Sequence, residues 1–259
     1  MGKLAAIRIY PIKSLDPLEL DSSPLMTGGG LRYDRQWALV NGRGEFINAK
    51  RTADIHKIRS AVELRHRMVT LSAPEKTEAT FHIDQQKEEI ESWFSEFFGE
   101  PVRLMENTSF GFPDDTESPG PTIVSTATLE TVAGWFPELS PEEIRRRFRA
   151  NLEIGGVEPF WEDRLYGPPG ETVRFQIGEV LFEGVNPCQR CPVPTRDSLT
   201  GDVWPGFARA FADRREELLP GWANRERFNH FYRLSTNTRL MGSSAGVLSV
   251  GDEIRLLDS

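Results

Sequence analysis

Short apolar runs separated by tight-turn residues recur along the chain, and this pattern restricts the fold more than any other feature. Each run is long enough for one strand, and a Gly- or Asn-containing turn between two runs is typical of a β-hairpin. The predicted hairpins pair residues 31–40 with 45–48, 58–64 with 68–71, 173–177 with 180–185, and the two halves of 247–257 about Gly251 and Asp252. Residues 3–10 form a further predicted strand that ends at Pro11. Such a series of hairpins is typical of a small barrel or sandwich.

Helices are predicted between these strands. An apolar stripe at helical spacing from Ile90 to Phe97 predicts a helix that is capped by Asp84 and ends before Gly99. Further helices are predicted after the caps Ser125 or Thr126, after the capping box at Ser140, and over residues 207–218, whereas 222–239 is expected to be a polar, aromatic-rich surface segment. The expected fold class is therefore α+β and rich in β-strands, with several peripheral helices.

Residues 107–121 contain three prolines among acidic and small residues, which is typical of a linker or mobile loop. We therefore expect one domain at residues 1–106, a linker or mobile loop at 107–121, and a second domain at 122–259.

The formal net charge of −8 argues against nucleic acid as the main partner, because duplex binding depends on Lys and Arg contacts with phosphate. The chain contains neither a targeting pattern at its start nor an apolar run long enough for a membrane span. The expectation from the sequence is a cytoplasmic protein without a membrane span.

Cys188 and Cys191 are the only cysteines and form a C-x-x-C pair. Nearby prolines argue against a thioredoxin-like dithiol, which needs a helix after its first cysteine. The absence of a second cysteine pair argues against a structural zinc site. Two interpretations remain open: a pair of inert core cysteines, and a single thiolate that ligates a metal carried by a cofactor.

Several polar residues have both a structural and a functional interpretation. Lys13 and Ser14 follow the first predicted strand, where such a pair is usually solvated. Arg35 fits an ion pair with Asp34 or a guanidinium contact to phosphate. Ser125 and Thr126 fit simple helix caps, and Asp197 fits a turn-forming residue. The residues alone do not decide between these alternatives.

Five segments resemble motifs of the MOSC family, the domain named after the C-terminus of the molybdenum cofactor sulfurase. Arg190 and Cys191 with Asp197, Thr200 and Gly201 resemble its R-C-x-x-x-x-x-D-x-x-T-G signature. The other four segments, in order, are YPIKS at 10–14, LRYDRQW at 31–37, RFRAN at 147–151 and EPFWED at 158–163. The chain is most similar in these motifs to the mitochondrial amidoxime-reducing components and their bacterial relatives.

The resemblance implies a MOSC β-barrel-like core, an N-terminal β-barrel-like domain, and a molybdenum–molybdopterin cofactor. It places the metal on Cys191, which with Asp197 is expected to be catalytic. The residues expected to bind the cofactor are Lys13, Ser14, Arg35, Ser125, Thr126, Arg149, Asn151 and Cys191. No pyridoxal phosphate, haem, flavin or iron–sulfur cluster is expected in this chain. Ala150 replaces the proline of R-F-R-P-N, and Arg196 stands where an apolar residue is common.

The activity implied by the resemblance is reduction of small N-hydroxylated or N-oxide-type substrates by oxygen-atom transfer. Electrons would come from a separate cytochrome b5-like or ferredoxin-like protein with its reductase. The first alternative is a sulfur-carrier or cofactor-handling module in which Cys191 carries a persulfide. The second is a protein that stores the cofactor without turnover.

Overall fold

The computed structural model describes residues 2–242 and 246–257. The strands in them are β1 (Lys3–Ile9), β2 (Leu18–Leu20), β3 (Ser22–Pro24), β4 (Trp37–Asn41), β5 (Phe46–Ile47), β6 (Arg59–Glu63), β7 (Met68–Ala73), β8 (Lys76–His82), β9 (Val102–Glu106), β10 (Ile123–Ser125), β11 (Leu152–Gly155), β12 (Val173–Ile177), β13 (Val180–Gln189), β14 (Arg233–Leu240), β15 (Val247–Ser249) and β16 (Ile254–Leu256). The helices are α1 (Lys87–Phe98), α2 (Thr126–Gly134), α3 (Pro141–Phe148) and α4 (Phe207–Glu217). The expected fold class, α+β and rich in strands, is confirmed. None of the described helices is both long and apolar enough to pass through a bilayer.

Eight strands form the main sheet, in the order β16-β12-β13-β14-β10-β11-β1-β2. Neighbouring strands are antiparallel except β10 and β11, which are parallel. Ile7, Leu152, Ile154, Phe175 and Phe182 are fully buried in the apolar core of this sheet. Strands β1 and β2 therefore extend a sheet whose other members all follow residue 122. The domain boundaries at 106/107 and 121/122 stay a prediction, and their outermost residues, 1 and 259, lie outside the described residues.

Two three-stranded sheets, β5-β4-β9 and β6-β7-β8, pack with α1 around a second core. The predicted hairpins β4–β5 and β6–β7 are confirmed. Helix α1 ends at Phe98, as predicted, and the next residue, Gly99, has a φ of 68° in the left-handed region that favours glycine. The predicted cap is wrong, because the Asp84 carboxylate accepts hydrogen bonds from Arg67 instead, and the helix begins only after Gln86.

Helices α2, α3 and α4 enclose an aromatic cluster beside the main sheet. The rings of Phe136 and Phe207 lie 4.5 Å apart, and those of Phe148 and Phe211 lie 5.3 Å apart. The predicted caps of α2 and α3 are confirmed: Ser125 Oγ accepts a hydrogen bond from Thr128 N and Ser140 Oγ accepts one from Glu143 N, each at 3.1 Å. These bonds satisfy amide groups that the helix itself cannot pair.

The start of one predicted strand and one predicted hairpin differ from the structure. The strand expected from residue 31 begins only at Trp37, because Tyr33 and Arg35 adopt positive φ values of 68° and 49° that interrupt an extended chain. The hairpin predicted within residues 247–257 is wrong. Strand β15 pairs with β3, while β16 pairs with β12. Gly251 N donates to Leu4 O, so the turn between them is bonded to the N-terminal segment.

The prediction that residues 222–239 form only a surface segment is also wrong, because β14 lies near the middle of the main sheet. Its polar residues Thr236 and Thr238 are fully buried. Each hydroxyl donates to a main-chain oxygen, Thr236 to Glu162 at 2.7 Å and Thr238 to Pro121 at 2.6 Å. These bonds offset the cost of burying polar groups and allow a polar sequence to form a central strand.

Candidate functional site

A cleft of about 990 Å³ lies where the end of β13, the end of α3, the turn after β1 and residues 113–120 meet. Eight of its lining side chains are cationic and five are acidic, although the whole chain carries a net charge of −8. The cationic residues are Lys13, Arg35, Lys50, Arg147, Arg149, Arg190, Arg227 and Arg233, and the acidic ones are Asp34, Asp114, Asp115, Glu117 and Glu226. The cleft therefore favours an anionic ligand.

The two cysteines line this cleft, and both are free and half-buried. Cys188 lies within β13, so no helix begins there and the arrangement is not that of a thioredoxin-like dithiol. Arg190 Nη1 lies 3.2 Å from Cys188 Sγ, while its Nη2 donates to Phe148 O. Burial lowers the pKa of Arg190, but the nearby sulfur atoms of Cys188 and Cys191 outweigh this and raise it. The Arg190 guanidinium is thus bonded to the sulfur atom of Cys188.

Lys13 and Ser14 lie in the turn after β1. Ser14 has a φ of 73°, and its Oγ accepts a hydrogen bond from Ala49 N at 3.1 Å. Lys13 Nζ donates to Phe112 O at 2.7 Å and to Asp114 Oδ1 at 2.9 Å. Burial lowers the pKa of Lys13, and Asp114 only partly offsets that effect. Lys13 is therefore a partly desolvated cation whose partner is a carboxylate of the segment 107–121.

Arg35 and Arg149 approach the ring of Tyr10, at 5.1 Å and 3.9 Å from its centroid. Both residues have positive φ, 49° and 54°, and such conformations in residues other than glycine are typical of functional sites. Arg35 pairs with Asp34, and Arg149 Nη2 donates to Leu15 O at 2.7 Å. Burial lowers the pKa of Arg149, and the Arg35 charge lowers it further. The fold thus brings two guanidinium groups together in the cleft wall.

Asn151 also lines the cleft, but its amide holds three chain segments together. Its Oδ1 accepts a hydrogen bond from Thr122 N at 3.2 Å, and its Nδ2 donates to Arg8 O at 3.0 Å. It is buried, and these contacts fix the start of β10 beside β1. Asn151 therefore positions the cleft wall, and its contact with a cofactor stays a prediction.

Three residues expected at the site do not line the cleft. Ser125 is fully buried as the cap of α2, and Thr126 is the first residue of that helix. Asp197 Oδ1 accepts hydrogen bonds from Leu199 N and Thr200 N, each at 2.9 Å, as a turn-forming residue does. Burial raises the pKa of Asp197, but these amides and the Arg147 charge outweigh that effect and lower it. The roles proposed for these three residues stay predictions.

The sequence interpretation missed the part of the cleft formed by Arg227, Arg233 and Asn237. Arg233 Nη1 donates to Pro187 O at 2.9 Å, and Asn237 Nδ2 donates to Asp115 Oδ2 at 3.1 Å. These residues lie in the stretch interpreted as a surface segment. Its two β-branched residues, Thr236 and Thr238, lie two positions apart and were the available signal for a strand.

Two family models match the chain. The MOSC N-terminal beta barrel domain matches residues 1–101, and the MOSC domain matches residues 122–255. The chain therefore belongs to the MOSC family, as the sequence motifs predicted.

Among the curated relatives named molybdenum cofactor sulfurase are one from Drosophila mojavensis and one from human. The Drosophila mojavensis protein is 29% identical over 233 residues, which cover 78% of this chain and 29% of that protein. The human protein is 27% identical over 295 residues, which cover 95% of this chain and 31% of that protein. The chain thus spans about three-tenths of the length of these relatives. The solved YUAD protein of Bacillus subtilis has a TM-score of 0.39 and 13% identity, with 98% of this chain and 94% of that chain covered.

Proposed function

We propose that the cleft binds a molybdenum–pterin cofactor and that the protein reduces N-hydroxylated or N-oxide-type compounds by oxygen-atom transfer. The observation that carries this proposal is the free Cys191 thiol in a cleft lined by eight cationic side chains. Family membership supports it, since the curated relatives are named molybdenum cofactor sulfurases. Electrons would come from a separate cytochrome b5-like or ferredoxin-like protein with its reductase.

The donor set of the cleft fits such a group. A cysteine thiolate is a soft ligand of the kind that suits a metal already bound by sulfur. Lys13, Arg35 and Arg149 offer the charged donors that a phosphate group prefers. Among residues 2–242 and 246–257, the buried Nε atoms of Arg190 and Arg233 also have no hydrogen-bond partner. Buried donors without acceptors are unfavourable, so an anionic ligand would satisfy them.

Each part of the cleft then has a definite task. When bound, the cofactor would supply the redox change and take up the substrate oxygen, while the protein supplies binding and orientation. Cys191 would hold the metal, and Lys13 and Arg35 would hold the phosphate end. Asn151 would keep the wall in register through its bonds to Thr122 and Arg8. Asp197 would orient residues 188–198, called here the cysteine segment, through the turn that its carboxylate forms.

The sulfur-carrier alternative is favoured by the name of the curated relatives and by the contact of Arg190 with Cys188. In that case the Cys191 thiolate attacks the outer sulfur of a donor persulfide, the S–S bond of the donor breaks, and the donor leaves as a thiolate. Cys191 then carries the persulfide, and no net oxidation or reduction takes place.

Elemental analysis after expression in a molybdenum-replete host tests the proposal. We expect near-stoichiometric molybdenum in the wild type and in the control Cys188→Ser, and none in Cys191→Ser. Turnover of an N-hydroxylated compound with a reduced donor should follow the molybdenum content. A folded wild type without molybdenum that releases sulfane sulfur on cyanolysis would overturn the reductase in favour of the sulfur carrier. A loaded protein without turnover would instead indicate cofactor storage.

A further inference from the structure

A second, smaller pocket adjoins the cleft and shares Ser14, Arg147, Arg149 and Val193 with it. Its volume is about 20 Å³, and one ordered water needs about 10–15 Å³. Its other walls come from the 3-10 helix at Ala53–Lys57, which carries His56, and from the residues after Cys191, which include Arg196. The pocket thus lies between the N-terminal segment, defined here as residues 14–59, the end of α3 and the cysteine segment.

Three buried nitrogen atoms of this wall lack a hydrogen-bond partner in the described part of the chain: His56 Nε2, Arg147 Nη1 and Arg196 Nε. Only 3% of the Arg147 side chain is exposed, and His56 as a residue is 8% exposed. A guanidinium nitrogen can only donate a hydrogen bond, and burying it without an acceptor is unfavourable. The two arginine atoms therefore require an acceptor inside the pocket.

The charges around the pocket are unbalanced. Five guanidinium groups line it, and four carboxylates pair with three of them. The pairs are Arg59 with Asp16 at 3.0 Å, Arg146 with Glu142 at 3.6 Å, and Arg147 with Glu143 at 2.7 Å and with Asp197 at 3.8 Å. Glu142 also pairs with Arg145, which lies outside the pocket, so the guanidinium charges exceed the carboxylate charges by at least one. A water molecule would accept the hydrogen bonds but would leave this charge uncompensated.

Of the five arginines that line the pocket, Arg149 and Arg196 have no carboxylate partner in residues 2–242 and 246–257. In this part of the chain each donates only to a carbonyl oxygen, Arg149 to Leu15 at 2.7 Å and Arg196 to Gly201 at 2.8 Å. The local potential is correspondingly positive. Burial and then the charges of Arg149 and Arg196 lower the pKa of His56 to about 4.

We propose that this pocket binds one small monovalent inorganic anion, such as a halide, held by Arg147 and Arg196 beside His56. The anion would accept hydrogen bonds from Arg147 Nη1 and Arg196 Nε, and its charge would also balance the excess positive charge of the pocket. Because His56 belongs to the N-terminal segment and Arg196 to the cysteine segment, the bound anion would hold Cys191's segment against the rest of the cleft wall. Binding of this anion would not require a bound cofactor.

Bromide is the probe for the test, because it scatters anomalously and is a halide. The unfolding midpoint is followed as sodium bromide replaces sodium gluconate at constant ionic strength. Above the dissociation constant, each tenfold increase in bromide should shift the folding equilibrium tenfold toward the native state. The variants Arg196→Gln and His56→Phe should lose this dependence, and the control Arg239→Gln, on the exposed end of β14, should keep it.

Anomalous diffraction from bromide-soaked crystals gives the position independently. We expect one peak within hydrogen-bond distance of Arg147 Nη1 and Arg196 Nε in the wild type, and no peak there in Arg196→Gln. If one of the two pocket variants, Arg196→Gln or His56→Phe, fails to fold, the other still tests the site. An equal bromide response in the wild type and both pocket variants, or a crystal with only water in the pocket, would refute the anion site.

Discussion

The carboxylate of Asp114 occupies the place beside Lys13 that an anionic ligand would take, so its removal should strengthen anion binding. Asp114 Oδ1 lies 2.9 Å from Lys13 Nζ and 3.1 Å from Lys50 Nζ. Burial raises the pKa of Asp114, but the Lys13 and Arg35 charges outweigh this and hold it well below its usual range. An incoming phosphate must therefore displace a fully charged competitor.

The size of the effect follows from these two contacts. The Asp114 side chain is 52% exposed, so each ion pair is a surface pair, which contributes about 0.2–1 kcal/mol. Two such pairs contribute roughly 0.4–2 kcal/mol, which corresponds to a change in affinity of about 2- to 30-fold. Asp114→Asn should bind inorganic phosphate more tightly by this factor. The same substitution should lower the free energy of unfolding by a similar amount.

Isothermal titration with inorganic phosphate measures the affinity. Glu117→Gln is the matched control, because Glu117 lines the same cleft and its removal changes the net charge equally without removing a contact to Lys13. Lys13→Gln should abolish the gain, which separates the cleft from the smaller pocket. Because the native pKa of Asp114 is lowered, its stabilising effect is present above about pH 4 and is lost as the pH falls below that value. Unchanged or weaker phosphate binding by Asp114→Asn would refute the reasoning.

Two further predictions concern strands β11 and β13 of the main sheet. Burial raises the pKa of Glu153, but hydrogen bonds from Arg145 and Arg8 outweigh this and lower it to about 2. Glu153→Gln should therefore lower the free energy of unfolding by roughly 3 kcal/mol at pH 7. In acid denaturation this difference should shrink as the pH falls from about 4.3 to the native pKa and should vanish below it. A difference that does not shrink over this range would contradict the assignment. At Gly184 a Cβ atom would lie 1.7 Å from Leu165 O, so Gly184→Ala should lower the thermal midpoint by several degrees, for about 1–3 kcal/mol of strain.

The sequence predicted those elements correctly that are determined by residues close together in the chain. The hairpin of β12 and β13, the caps Ser125 and Ser140, and the helix end at Gly99 all depend on neighbours within a few residues. Strand β14 was missed because its hydroxyls are satisfied by Glu162 and Pro121, which lie far away in the chain. Local patterns carry no information about such partners.

The candidate site shows the same division. The motifs located Lys13, Arg35, Arg149 and Cys191, and the structure brings all four to one cleft. Periodicity could not show that Arg35 and Arg149 share the ring of Tyr10, because that contact needs two turns with positive φ to meet in space. The contact of Arg190 with Cys188 likewise depends on how β13 ends.

The pairing of β1 with β11 has a consequence for biosynthesis. Ile7 lies opposite Leu152, so 145 residues of chain separate the two partners. At a synthesis rate of roughly 5–20 residues per second, Ile7 is synthesised roughly 7–30 seconds before its partner Leu152. During that interval the nascent β1 has an unpaired edge facing solvent. The sheet that shapes the cleft can therefore be completed only late in translation. Substitutions that increase the tendency of this edge of β1 to pair with strands of other chains would favour aggregation of the unfinished chain.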